Sequence, residues 1–94
     1  MYEEADWTHR GDYIDNKHGV VPQEANEALL DPDRIVIDPD YNSTSGRSVR
    51  IIGFSTTADD LITVIVLTDE GVTYGVNAWR SNARDRRIYQ EGEL

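Results

Sequence analysis

Ninety-four residues carrying a formal charge of −9, with 38% hydrophobic residues and no cysteine, suffice for one domain with one core. The missing cysteines exclude a disulfide framework and a thiolate metal site. The charge disfavours loose attraction to nucleic acid, while leaving room for a local cationic site and suggesting a basic partner for the acidic surface.

The charge is uneven. Residues 1–46 hold eleven acids against three bases, and residues 47–94 hold seven against six. The opening, MYEEADWTHRGD, is acidic and has no apolar run, so it reads as neither a signal peptide nor a membrane anchor. Together with the absence of cysteine, this sets the expectation of a soluble, cytoplasmic protein. Residues 1–9 are expected as a flexible lead-in, with Trp7 as an anchor on the core, and residues 91–94 as a flexible tail.

From about Arg10 to Lys17 the spacing of Tyr13, Ile14 and Lys17 predicts a short helix, stopped by Gly19. Pro22 suits a first helical turn, and Ala25, Ala28 and Leu29 share one face, so a second helix is expected over Pro22–Leu30. Asp31-Pro32 ends it, because a residue before proline leaves the helical region. The period then shortens to two. Arg34–Asp38 reads as a strand, Asp40–Gly46 as a polar turn, and Arg47–Ser55 as a strand with Val49, Ile51 and Gly53 facing one way. Leu61–Thr68 is the most apolar segment and is expected at the centre of the sheet. Asp69-Glu70-Gly71 forms a hairpin turn into a strand over Val72–Asn77.

The stretch Tyr74–Tyr89 is the sharpest local anomaly. It reads as a strand end running into a helix on which Arg80, Arg84 and Arg87 share a face, with Ala83, Ile88 and Tyr89 turned to the sheet, Arg86 pointing away, and Ser81 or Asn82 capping or interrupting the helix. The whole is an α+β domain over residues 1–94: a small antiparallel meander of four strands, packed by two N-terminal helices and one C-terminal helix.

Three separate pieces are similar, in order, to one known family. Lys17-His18-Gly19-Val20 followed by Gln23-Glu24-Ala25 resembles the KHGV…EEA opening of BrnT-type toxins. Gly46-Arg47-Ser48-Val49, Ile52-Gly53 and Leu61-Ile62-Thr63-Val64 resemble its central strands, and Val76-Asn77-Ala78-Trp79-Arg80 with Arg84-Asp85-Arg86-Arg87 and Tyr89 resembles its closing ISAR…ER…Y segment. The likeness spans residues 14–90. The chain departs from it at Asn77 and Trp79, which stand at the serine and first arginine of that motif, and at Asp85, which stands for a glutamate.

The resemblance implies a fold like the RelE-like ribonuclease toxins and a type II toxin–antitoxin partnership in bacteria. There a ribbon-helix-helix or similar antitoxin neutralises the toxin, and DNA is met only through the antitoxin. It implies RNA cleavage without metal or organic cofactor, with no membrane partner. Such cleavage must take a proton from the 2′-hydroxyl, return one to the 5′-oxygen and stabilise phosphate charge. Histidine suits the proton transfers and the arginine fork suits phosphate. By the match, His18 is the candidate for proton transfer, and Lys17, Arg47, Arg80 and Arg84 are the candidates for holding phosphate; Trp79 and Arg87 are candidate RNA contacts.

Each has a plainer role open to it. His18 beside Gly19 suits a helix C-terminus, Trp79 suits the core, and Arg47 suits an edge-strand charge. The arginines of the closing stretch suit ion pairs with the acidic half of the chain. His9 and His18 with Asp12 and Asp15 match no closed zinc spacing. The rival reading from another class is a catalytically inactive BrnT-like protein-interaction module, for which Asn77, Trp79 and the charge of −9 speak.

Overall fold

A computed structural model describes residues 2–93. It contains three helices, α1 (Gly11–His18), α2 (Pro22–Leu30) and α3 (Ala83–Glu91), and four strands, β1 (Ile35–Ile37), β2 (Ser48–Ser55), β3 (Asp60–Asp69) and β4 (Val72–Arg80). The strands form one antiparallel sheet in the order β1-β2-β3-β4, the expected meander. The two expected N-terminal helices form with ends shifted by a residue at most. No described helix is long and apolar enough to cross a membrane.

Alternation along the strands sorts the core into two layers. On one face Val49, Ile51, Ile62, Val64, Val66 and Ala78 pack against Ile14 of α1 and Ala25, Ala28 and Leu29 of α2. The approach of α2 is set by Gly53: a Cβ there would lie 2.0 Å from the Ala28 carbonyl oxygen, so only glycine lets the helix backbone this close. On the other face Ile37 and Ile52 pack against Ile88 of α3, with Ile35, Tyr41 and Tyr89 around them.

The expected lead-in is built into the sheet. Asp6 pairs in parallel with Tyr74: its N–H donates to the Thr73 carbonyl at 2.8 Å, and its carbonyl accepts from Gly75 N–H at 2.8 Å. Trp7 is buried, as an anchor should be, and its ring lies flat on Gly75, where a Cβ would fall 2.4 Å from the indole. The Trp7 indole N–H and the Ala5 N–H both donate to Asn26 Oδ1 of α2, closing the segment over the helix. Glu91 of the expected tail belongs to α3, which ends with the Gly92 N–H donating to Ile88 and Tyr89 carbonyls. Met1 and Leu94, the outermost residues of the lead-in and tail, lie outside the described residues.

The closing stretch differs most from expectation. β4 continues to Arg80, and α3 begins only at Ala83, with Asn82 as its N-cap: Asn82 Oδ1 accepts from Asp85 N–H at 2.9 Å. Arg80 is therefore a strand residue, and the stripe Arg80–Arg84–Arg87 does not exist. Ala83 is exposed, whereas Ile88 is buried and Tyr89 half-buried as expected.

Candidate functional site

Register decides which side chains meet. Trp79 and Asn77 of β4 sit opposite Thr63 and Ile65 of β3, which in turn sit opposite Ile52 and Arg50 of β2. All six lie on the α3 face. The irregularity between Ile65 and Val66 leaves Val76 as an extra residue on β4, and its carbonyl accepts from Arg10 Nε at 2.8 Å. This bulge puts Asn77 and Trp79 on the α3 face while Gly75 and Ala78 keep to the other.

His18 reaches the same face from the end of α1, which packs along β4. Gly19 adopts the left-handed conformation at φ 69 and turns its N–H back to the Asp15 and Ile14 carbonyls, ending the helix directly after His18. The imidazole then lies 5.9 Å from the Trp79 ring and 6.1 Å from the Tyr13 ring, centroid to centroid. Lys17 is exposed in the same last turn.

Next to Trp79 is a side chain that sequence reasoning passed over. Arg50 sits at the centre of β2 with 2% of its surface exposed. Its Nε donates to Asp40 Oδ1 at 2.7 Å, and its Nη1 donates to Asp85 Oδ2 at 2.8 Å and to the Tyr41 hydroxyl at 2.6 Å. The Tyr41 hydroxyl donates to Asp85 Oδ1 at 2.6 Å, and Thr63 Oγ1 donates to Asp85 Oδ2 at 2.8 Å. Asp85 is fully buried, so this is an ion pair removed from water, with its carboxylate oxygens satisfied by three donors. Burial opposes the charge on Arg50, but the hydrogen bond to Asp40 and the charges of Asp85 and Asp40 outweigh it and hold its pKa above the usual arginine value. Burial and the bond to Asp85 together raise the Tyr41 phenol above its ordinary pKa.

The Arg50 guanidinium carbon lies 4.1 Å from the centroid of the Tyr41 ring and 5.4 Å from that of Trp79. Arg84, exposed in the first turn of α3, lies over the same Tyr41 ring at 3.8 Å. A continuous strip results: His18, Trp79, Arg50, Tyr41, Arg84. It crosses the sheet and the start of α3, with Arg50 buried within it and His18, Trp79, Tyr41 and Arg84 as its half-buried or exposed members. Its chemistry is that of a stacking platform flanked by an imidazole on one side and guanidinium groups on the other.

Of the residues expected to act together, the structure brings together His18, Trp79 and Arg84, with Lys17 alongside. It does not bring Arg80. Consecutive strand residues point to opposite faces, so Arg80 leaves the sheet on the side away from Trp79. Its Nη1 donates to Asp60 Oδ2 at 3.1 Å, and the same carboxylate takes two bonds from Arg86, at 2.7 and 3.2 Å. Arg86 thus shares a partner with Arg80 instead of pointing away from it, and the two guanidinium groups hold the Asp60 carboxyl well below its usual pKa, the Arg86 bond contributing most. Arg47 is exposed at the far end of β2, 3.8 Å from Asp69. Arg87 is exposed on α3 and forms no ion pair with a described residue. Among the described residues no group of three or more histidine or acidic side chains is placed to hold a metal ion.

One sequence signal pointed to Arg50. In Arg47–Ser55 the apolar Ile52 and the cationic Arg50 share a parity, so a strand that buries Ile52 also turns Arg50 inward, and a buried arginine requires carboxylates. Its partners come from Asp40 and Asp85, 10 and 35 residues distant, and no local spacing joins them. No family model matches the chain, and no curated protein matches it.

Proposed function

We propose that this chain is the toxin of a type II toxin–antitoxin pair, a BrnT-like ribonuclease that cleaves RNA without a metal and is neutralised by a DNA-binding antitoxin covering the α3 face of its sheet. The observation that carries this reading is the meeting of His18, Trp79 and Arg84 on one face from α1, β4 and α3. His18 and Arg84 come from the two ends of the resemblance and are of the types that metal-free phosphodiester cleavage uses, while Trp79 stands where the motif has its first arginine. In this reading His18 takes the 2′-hydroxyl proton as that oxygen attacks phosphorus, and the 5′-oxygen leaves with a proton from solvent to give a 2′,3′-cyclic phosphate. Arg84 binds the phosphate with its planar fork, and Trp79 stacks an unpaired base. Lys17 adds positive charge beside His18. Arg80 and Arg47, engaged by Asp60 and Asp69, fall outside the mechanism.

A specific observation favours the rival reading of a catalytically inactive interaction module. Arg47, Arg50, Arg80 and Arg86 are each paired to carboxylates, so much of the positive charge that the sequence offers RNA is spent within the fold. Induced expression in a sensitive bacterial host separates the two. The toxin reading expects growth arrest and loss of RNA with the wild type, relief by Arg84→Ala or His18→Gln, and no relief by Arg80→Ala. Unimpaired growth and intact RNA, with abundant folded protein, favour the module.

A further inference from the structure

We infer that Arg50, together with Arg84 and Trp79, forms a subsite for one nucleotide unit, a planar base joined to a phosphate, with the phosphate oxygen seated on Arg50 Nη2 and the base on the Trp79 ring. The inference rests on the RNA-directed reading above and extends it to a residue that no motif of the sequence marks.

The argument begins with unused donors. A guanidinium has five N–H bonds in a fixed fork. In Arg50 the Nε bond goes to Asp40, and the Nη1 bonds go to Asp85 and Tyr41. Nη2 donates to no described residue, and it is not among the fully shielded polar atoms left without a partner, of which Arg34 Nε is the one found among the described residues. The guanidinium is otherwise buried, and Nη2 is the part of it that keeps contact with solvent. An anionic oxygen can take the place of water on its two N–H bonds.

The surroundings select the rest of the ligand. Two carboxylates already balance the Arg50 charge, so a bare anion at Nη2 needs a second cation, and Arg84 is the exposed guanidinium on the same Tyr41 ring, forming no ion pair with a described residue. On the other side of the guanidinium, 5.4 Å from its carbon, is the half-buried Trp79 indole, with His18 beyond it. A phosphate on Arg50 Nη2 that also reaches Arg84 around the Tyr41 ring carries its nucleoside towards that indole, and base–aromatic stacking tolerates any base. The Asp40–Arg50–Asp85–Tyr41 bonds fix the fork before the ligand arrives, which lowers the entropy lost on binding.

The test uses the intact protein labelled with nitrogen-15, following the Arg50 Nε–H and Trp79 indole N–H resonances. The probes are adenosine 3′-monophosphate, adenosine and inorganic phosphate, with cleavage of an RNA oligonucleotide measured alongside. The nucleotide is expected to shift both resonances saturably, adenosine the Trp79 signal alone and phosphate the Arg50 signal alone, each component binding at least about tenfold more weakly than the nucleotide. Arg84→Gln, a surface change that leaves the fold intact, is expected to weaken the nucleotide about tenfold and adenosine not at all. The inference is overturned if the nucleotide leaves Arg50 Nε–H unmoved, or if Arg84→Gln binds it as tightly as the wild type. RNA cleavage without these shifts overturns the subsite and leaves the ribonuclease standing; the shifts without cleavage uphold the subsite and remove the ribonuclease.

Discussion

Replacing Asp85 by alanine probes the buried network most severely. The carboxylate is fully buried and accepts from Arg50 at 2.8 Å, Tyr41 at 2.6 Å and Thr63 at 2.8 Å, so the substitution strands three donors at once. Breaking one side of a buried ion pair costs about 3–5 kcal/mol. Asp40 stays on Arg50 Nε at 2.7 Å and keeps part of the counter-charge, which places the expected loss near the lower end, about 3 kcal/mol. A domain of this size has roughly 5–14 kcal/mol of stability in total, so the loss is a large fraction of it. With a urea slope near 1 kcal/mol per molar, the unfolding midpoint should fall by about 3 M. The triple variant Arg50→Met, Asp85→Leu and Asp40→Asn removes all three charges of the cluster and should recover part of that loss, because neutral replacements of similar volume often match a buried ionic cluster. Circular dichroism during urea unfolding measures all three proteins. A loss below about 1 kcal/mol in Asp85→Ala, or a triple variant no more stable than the single one, would refute the claim that these buried charges depend on one another.

Three further outcomes follow from individual contacts. Glu27 of α2 grips the β2–β3 turn through the Thr57 hydroxyl and N–H and the Ser55 hydroxyl, and these bonds lower its pKa to about 2. A depressed folded pKa gives stability that is present above the unfolded carboxylate value and lost as pH falls towards 2. Chemical-denaturation profiles of wild type and Glu27→Gln should therefore converge over that acid range and diverge above it. Gly53→Ala should lower the melting temperature by about 10 °C or more, because the new methyl meets backbone at Ala28 and no side chain can yield. Arg80→Ala should cost less than about 1 kcal/mol, since the side chain is half exposed and Asp60 keeps its two bonds to Arg86.

How much of this was legible follows from the range of each interaction. Pro22, the Asp31-Pro32 stop and the Ala25/Ala28/Leu29 face are local, and α2 forms over the expected residues. The β-branched runs and the turn at Asp69-Glu70-Gly71 gave the meander, and the parity of Val49, Ile51 and Gly53 gave the face on which α2 lies. The strand-to-helix boundary after Arg80 was misplaced because basic residues at helical spacing outweighed a weaker local signal, the Asn82 cap three residues before Asp85. The strip on the α3 face was half visible: His18 and Arg84 were marked by resemblance, and Trp79 by its aromatic ring at a position where the motif has an arginine. Arg50 was not, because what makes it a site residue is contact with Asp40, Tyr41 and Asp85 from two other parts of the chain. The docking of the lead-in on β4 was hidden for the same reason, since Trp7 meets Gly75 only through the fold.

The central claim is that the α3 face of this sheet cleaves RNA through His18 and Arg84. It is tested most directly by incubating purified protein, with a chelator present, with a single-stranded RNA oligonucleotide and with the same oligonucleotide lacking 2′-hydroxyls, for the wild type, His18→Gln, Arg84→Gln and Arg80→Ala. The account predicts cleavage of the RNA alone, a loss of about a hundredfold or more in rate with His18→Gln, a strong loss with Arg84→Gln and near-wild-type rates with Arg80→Ala. Cleavage that survives in His18→Gln and Arg84→Gln, or no cleavage by folded wild-type protein, would contradict it.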